Sequence, residues 1–181
     1  MSEELEVLKE VARRLTGAGI PYMITGSIAA NFYSIPRMTR DIDLVVELGD
    51  AGVARLVATL RDDFYVDLAA VESAVRERGM FNAIHTRHIV KVDFVVRKDS
   101  EYRREEFARR RAVSVEGSEL FLVTAEDLIL SKLDWARDTR SEIQLTDVRN
   151  LLTSVEGLDR AYLSRWAARL GLEALLREVG G

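Results

Sequence analysis

The sequence predicts an α+β fold: a mixed β-sheet core flanked by helices over residues 1–123, followed by a helical C-terminal part, 124–181, packed on that core. Three observations carry this reading. Residues 41–48 and 89–96 repeat an apolar side chain at every second position, at 42, 44, 46 and 48 and at 90, 92, 94 and 96, the mark of strands with one buried face. Residues 3–16 place Leu5, Val7, Leu8, Val11, Ala12 and Leu15 at steps of three and four, the mark of an amphipathic helix. After Val123 the alternation stops and helical periodicity takes over.

Each element follows in order. Gly17 and Gly19 end the first helix, and Tyr22-Met23-Ile24-Thr25 after Pro21 is a short apolar strand running into Gly26-Ser27. Residues 28–33 read as a short helix, broken by Pro36. The strand 41–48 then puts Ile42, Leu44, Val46 and Leu48 on one face, and Asp41 with Asp43 on the other. Asp50 can cap a helix through about residue 60, and a further helix covers 68–78. Residues 79–96 form two strands joined by a turn at His85 to His88. In the second, Val90, Val92, Phe94 and Val96 share a face, so Asp93 points the other way, beside Lys91 and Val95. A charged helix over 100–111 leads to two strands within 112–123 around a Gly117 turn. Thr124-Ala-Glu-Asp127 has the form of a helix-capping start, and the remaining helices break near Thr139, Gly157 and Gly171.

Composition removes several classes of function. The chain has 181 residues, no cysteine and only two histidines, which excludes thiol nucleophiles, disulfides, iron–sulfur ligation and multi-histidine metal centres. A net charge of −4 argues against wholesale binding of a polyanion. The first twenty residues carry Glu3, Glu4, Glu6 and Glu10 where a signal peptide would be basic and then apolar. No apolar run approaches the ~18 residues of a membrane span, so the expectation is a cytoplasmic protein without a membrane partner.

The chemistry concentrates on one constellation. Carboxylates at i and i+2 on a strand have Cα atoms about 6 to 7 Å apart and can lean together onto one or two small cations. Burying such a pair without a cation would raise a carboxyl pKa. Magnesium suits the pair, since it takes hard oxygen ligands and keeps positions for water and phosphate. Asp93, on a strand of the same alternation, would be the third carboxylate if the two strands are neighbours, as two-metal phosphoryl chemistry requires. Gly26-Ser27, between a strand and a helix, lets the backbone approach a ligand and turns free N–H groups and one hydroxyl toward phosphate. Taken singly, Asp-x-Asp is more often a solvated strand edge and Gly-Ser an ordinary turn; the order of all three pieces favours a functional site.

Ile24-Thr25-Gly26-Ser27-Ile28-Ala29-Ala30 followed by Arg37-Met38-Thr39-Arg40-Asp41-Ile42-Asp43-Leu44 resembles the nucleotidyltransferase superfamily, with its polymerase-beta-like fold, and within it the AbiEii-like toxin nucleotidyltransferases. The resemblance spans residues 20–152. Its later part rests on Glu126 to Leu133 and Thr146 to Leu152, which look like the family's helical lysine and aspartate motifs. It implies transfer of a nucleoside monophosphate from a nucleoside triphosphate to an acceptor hydroxyl on RNA, protein or a small molecule, with tRNA or a partner protein among the acceptors. It further implies Mg²⁺ at Asp41 and Asp43, in a site with room for two ions, Asp93 as third carboxylate and metal ligand, and Ser27 with Gly26 on the triphosphate. Lys132 and Asp147 would complete the nucleotide site; the alternatives are a lysine that snorkels to solvent and an aspartate that serves its helix N-terminus. The spacing from Ser27 to Asp41 is longer than in minimal members of the family.

A rival reading is a non-catalytic nucleotide- or RNA-binding module, such as one half of a toxin–antitoxin pair, that retains the carboxylates as part of the fold; intact carboxylates disfavour it. A glycosyltransferase also uses Asp-x-Asp but needs a longer chain and lacks the upstream Gly-Ser. Arg97, Lys98, Arg103, Arg104, Arg109, Arg110 and Arg111 could guide RNA, but are better read as a solvated helix with Glu105–Arg109 and Glu106–Arg110 pairs. Tyr102, Phe107, Trp135 and Trp166 are read as packing residues, and the two histidines as turn residues without a metal role.

Overall fold

A computed structural model describes residues 2–180. The first helix, α1 (Glu3–Gly17), is capped by Ser2, whose side chain accepts from the Leu5 N–H, and buries Val7, Leu8, Val11, Ala12 and Leu15. Strand β1 (Tyr22–Thr25) runs directly into α2 (Gly26–Tyr33), and the loop 34–40 leads to β2 (Asp41–Val46). Helix α3 (Asp50–Leu60) is capped by Gly49, not Asp50, which instead places its charge in the first turn. Strand β3 (Phe64–Val66) follows, then α4 (Leu68–Glu77), whose N-cap Asp67 accepts from Ala69 and Ala70.

Strands β4 (Met80–His85) and β5 (Lys91–Val96) form the expected hairpin, but β5 starts later than the alternation suggests because Ile89 closes the turn at φ 53°. His85 is no turn residue: it ends β4, is buried, and packs edge-on against Phe64 with ring centroids 4.9 Å apart. Helix α5 (Glu101–Ala108), strands β6 (Arg111–Val115) and β7 (Ser118–Leu122), and helices α6 (Ala125–Thr139), α7 (Glu142–Ser154), α8 (Arg160–Leu170) and α9 (Glu173–Gly180) complete the chain.

The strands make one sheet in the order β3-β4-β5-β2-β1-β7-β6. Strand β2 is central, antiparallel to β1 and parallel to β5, while β7 pairs in parallel with β1. The three-residue edge strand β3 was not legible in the sequence, being too short to show a period and having Tyr65 turned to solvent. A single buried apolar cluster runs from α1 and the sheet through α6, α7, α8 and α9, so the C-terminal helices share the core of the strands. Among the described residues no helix is long and apolar enough to cross a membrane.

Two surface expectations are corrected. Trp135 is 64 % exposed, because the buried stripe of α6 is made by Leu128, Ile129, Leu133 and Ala136 and the ring lies outside it; Trp166 is buried as expected. The arginines around α5 do not form the i,i+4 ladder. Arg103 reaches Glu106, Ser131 and Asp134, Arg109 reaches Asp127, and Glu105 pairs with Arg165 of α8. Helix α5 is thereby tied to α6 and α8 by tertiary pairs. Tyr102 and Phe107 are buried, as their apolar bodies require.

Candidate active site

The site is assembled where β1 ends and β2 and β5 begin. On β2, Ile42, Leu44 and Val46 turn into the core, which leaves Asp41 and Asp43 on the opposite face. The parallel register pairs Asp43 with Asp93 and Asp41 with Lys91, while the antiparallel register on the other side pairs Asp43 with Thr25. Asp43 therefore lies between the last residue of β1 and the carboxylate of β5. Asp93 is buried at 7 % exposure, and Asp41, on the first residue of its strand, keeps a side chain 57 % exposed.

Gly26 is required by this arrangement. Its φ is +65°, and a Cβ there would sit 2.0 Å from Asp43 Oδ2, so any larger residue would have to displace the carboxylate. The chain turns at that glycine straight into α2, whose N-cap Thr25 makes no side-chain cap bond. The first N–H groups of the helix thus have no side-chain acceptor of their own, and the helix starts where Gly26 packs against Asp43.

Electrostatics mark Asp43 as the strained member. Burial, then the charges of Asp93 and Asp41, push its pKa up to about 6, partly offset by Lys132 and Lys91. The Lys91 ammonium lies 2.8 Å from Asp93 Oδ2 and 3.8 Å from Asp41 Oδ1, and its hydrogen bond to Asp93 raises its own pKa. Among the described residues no group of three or more His, Cys, Asp or Glu side chains is gathered closely enough to hold a metal ion. The donor set still suits one. Asp41, Asp43 and Asp93 put hard carboxylate oxygens on one face of the sheet, burial and then like charge raise the pKa of Asp43, and the Lys91 ammonium already stands as a cation beside Asp93 and Asp41.

A second layer surrounds Ser27. Lys132, buried on α6, donates to Asp147 Oδ2 of α7 at 2.8 Å and to Gln144 at 2.9 Å. Burial lowers the pKa of Lys132 against the opposing pull of Asp147. Burial works against the charge of Asp147 too, but hydrogen bonds from Arg37 and Lys132 overcome it and hold its pKa below the ordinary carboxyl value. Asp147 is therefore not simply a helix-end charge, nor does Lys132 snorkel to water.

Arg37, four residues before Asp41, joins this layer. Its guanidinium donates to both oxygens of Asp147, at 3.1 and 3.2 Å, and to the Ser27 hydroxyl. The loop 34–40 is further tied back by Asn31, which accepts from the Arg37 N–H at 3.0 Å and donates to its carbonyl at 2.8 Å. Arg37 and Lys91 are the site cations that sequence reasoning missed; a basic residue two positions before Asp93 and another just after Pro36 were the available signals.

No protein-family model matches the chain, and no curated protein matches it in sequence. Solved structures do. An antigenic nucleotidyltransferase-like protein from Paracoccidioides brasiliensis superimposes with a TM-score of 0.63 at 18% identity, over 98% of this chain and 92% of that one. The antibiotic-resistance factor ANT(2'')-Ia in complex with adenylyl-2''-tobramycin gives 0.58 at 15% identity over 98% of both chains. The lincosamide antibiotic adenylyltransferase LnuA, with lincomycin bound, gives 0.55 at 11% identity over 86% of this chain and 98% of that one. The mixed sheet flanked by helices, with its helical C-terminal part, is thus the fold of nucleotidyltransferases.

Proposed function

We propose that the chain is a nucleotidyltransferase that moves a nucleoside monophosphate from a nucleoside triphosphate to an acceptor hydroxyl. The observation that carries this reading is the register that sets Asp43 beside Asp93, with the Gly26 backbone pressed against Asp43 at the start of α2. Carboxylates for a cation and backbone donors for phosphate are then within one site.

Asp41, Asp43 and Asp93 would hold Mg²⁺, which when bound supplies charge neutralisation on the triphosphate. The chain's own residues do the rest. The first N–H groups of α2 and the Ser27 hydroxyl bind phosphate oxygens, and Arg37 orients that hydroxyl. Lys132, fixed by Asp147 and Gln144, offsets the charge gathering near Asp43. Asp93 completes the cluster and takes the proton of the acceptor hydroxyl on a carboxylate oxygen. The acceptor oxygen forms its bond to the α-phosphorus as the bond to the departing pyrophosphate breaks, so catalysis is mainly positioning and charge stabilisation.

Acceptors in reach of this reading are a small molecule, a tRNA or a partner protein, the last two fitting the AbiEii-like resemblance. The two antibiotic adenylyltransferases of this fold favour testing small hydroxyl compounds first. Each α-labelled nucleoside triphosphate is incubated with Mg²⁺ and separate pools of RNA, protein and small hydroxylated molecules, including aminoglycosides and lincosamides. Label entering one pool with wild type and falling roughly a hundredfold with Lys132→Ala supports the proposal. No label in any pool with any nucleotide sinks it.

A further inference from the structure

We propose that Lys91 is a tethered cation of the carboxylate cluster, holding Asp93 and Asp41 until a divalent ion displaces it. The inference rests on the reading of Asp41, Asp43 and Asp93 as the cation site. Strand β5 lies between β4 and β2, so Lys91 is not on an edge strand; it opens β5 on the face that carries Asp93. Register sets it opposite Asp41, and its ammonium touches Asp93 at 2.8 Å and approaches Asp41 at 3.8 Å.

Among the described residues no other cation pairs with either carboxylate, for Lys132 and Arg37 are engaged with Asp147. A divalent ion would compete for the same oxygens. The Lys91 side chain is 42 % exposed, so its flexible stem can carry the ammonium into water without opening the core. A free ion then loads weakly, since it has to break an existing ion pair. An ion arriving on a triphosphate brings phosphate contacts to the N-terminus of α2 and loads more readily. Lys91 thus couples cation loading to nucleotide arrival, and its departure also frees Asp93 to accept a proton.

The test is Mn²⁺ binding by the full chain, followed by calorimetry or electron paramagnetic resonance, alongside thermal melting with and without saturating Mn²⁺. Lys91→Met and Lys91→Gln are both expected to bind Mn²⁺ about tenfold tighter than wild type. Both should also melt lower than wild type in the absence of Mn²⁺, with the gap closing when the ion is added. Lys98→Met, beyond the other end of β5, should leave affinity unchanged. Wild-type affinity in both Lys91 variants, or an equal gain in Lys98→Met, overturns the proposal while leaving the cation site standing. A melting deficit that Mn²⁺ does not close assigns Lys91 a structural role and overturns it as well. Should neither wild type nor the Lys91 variants bind Mn²⁺, the reading of the cation site fails first.

Discussion

Asp127 is a fully buried carboxylate and Asp43 a half-buried one, and the protein treats them in opposite ways. Asp127, fully buried at the start of α6, accepts from the Tyr162 hydroxyl at 2.6 Å, the Thr124 hydroxyl at 2.6 Å and Arg109 Nε at 3.0 Å. Nearby Glu106 is equally well served, by Arg103 and by the Ser131 hydroxyl. Asp43 receives no side-chain hydrogen bond or ion pair among the described residues, and two like charges stand close to it. Burial of a charge is therefore not the sign of a site here. One cluster is supplied with every donor it needs and stitches α5, α6 and α8 together; the other, beside a helix N-terminus, sets one paired ammonium, Lys91, against three carboxylates.

The contrast breaks most visibly through Asp127→Ala. The change strands the Tyr162 hydroxyl and one face of Arg109, so we expect a loss of about 3 to 5 kcal/mol in denaturant unfolding. A loss under about 1 kcal/mol would mean that this cluster is no more essential to the fold than the other. Asp43→Asn should do the reverse. It relieves repulsion, leaves the melting temperature of the metal-free protein unchanged or higher, and lowers nucleotide transfer by at least about a hundredfold. A thermal shift with Mg²⁺ and triphosphate that persists in this variant would count against Asp43 as a ligand of either.

Gly26→Ala tests the geometry between those extremes. The added Cβ both strains a left-handed backbone and collides with the Asp43 carboxylate, at a cost of roughly 1 to 3 kcal/mol measured by urea titration. Triphosphate binding should weaken along with stability, and a variant that binds normally would show that the close approach is incidental.

The smallest effect sharpens the comparison by pH. The Asp43 carboxyl has its ordinary pKa of 3.8 when unfolded and one of about 6 when folded, so between those values the native state holds a proton that the unfolded chain has lost. This group favours the fold at low pH, and its contribution declines as pH rises from about 4 through 6. In metal-free protein the stability difference between Asp43→Asn and wild type should therefore grow over that interval and level off above it. A flat difference would show that Asp43 ionises without hindrance, and the electrostatic contrast with Asp127 would be lost.

How much of this was legible in the sequence differs by residue. The alternation of 41–48 places Asp41 and Asp43 on one face wherever that strand lies in the sheet, because side chains of a strand change sides at each residue. Gly26 after an apolar strand marks a chain reversal in the same local way, and Thr124 with Asp127 marks a helix start confirmed by the cap bond. Those readings depend on neighbours in sequence alone. Pairings between distant segments are of another kind, since no local preference encodes them. Register brings Asp93 beside Asp43 and Lys91 beside Asp41; packing of α2, α6 and α7 brings Ser27, Lys132 and Asp147 within reach of Arg37. Trp135 shows the same limit, because a helical stripe tells which residues share a face but not how far the neighbouring elements cover it. What the sequence determined was the facing of the strand carboxylates Asp41, Asp43 and Asp93; the places of Arg37, Lys91, Lys132 and Asp147, and the distances that bring these residues together, came only from the long-range burial of the sheet and its helices.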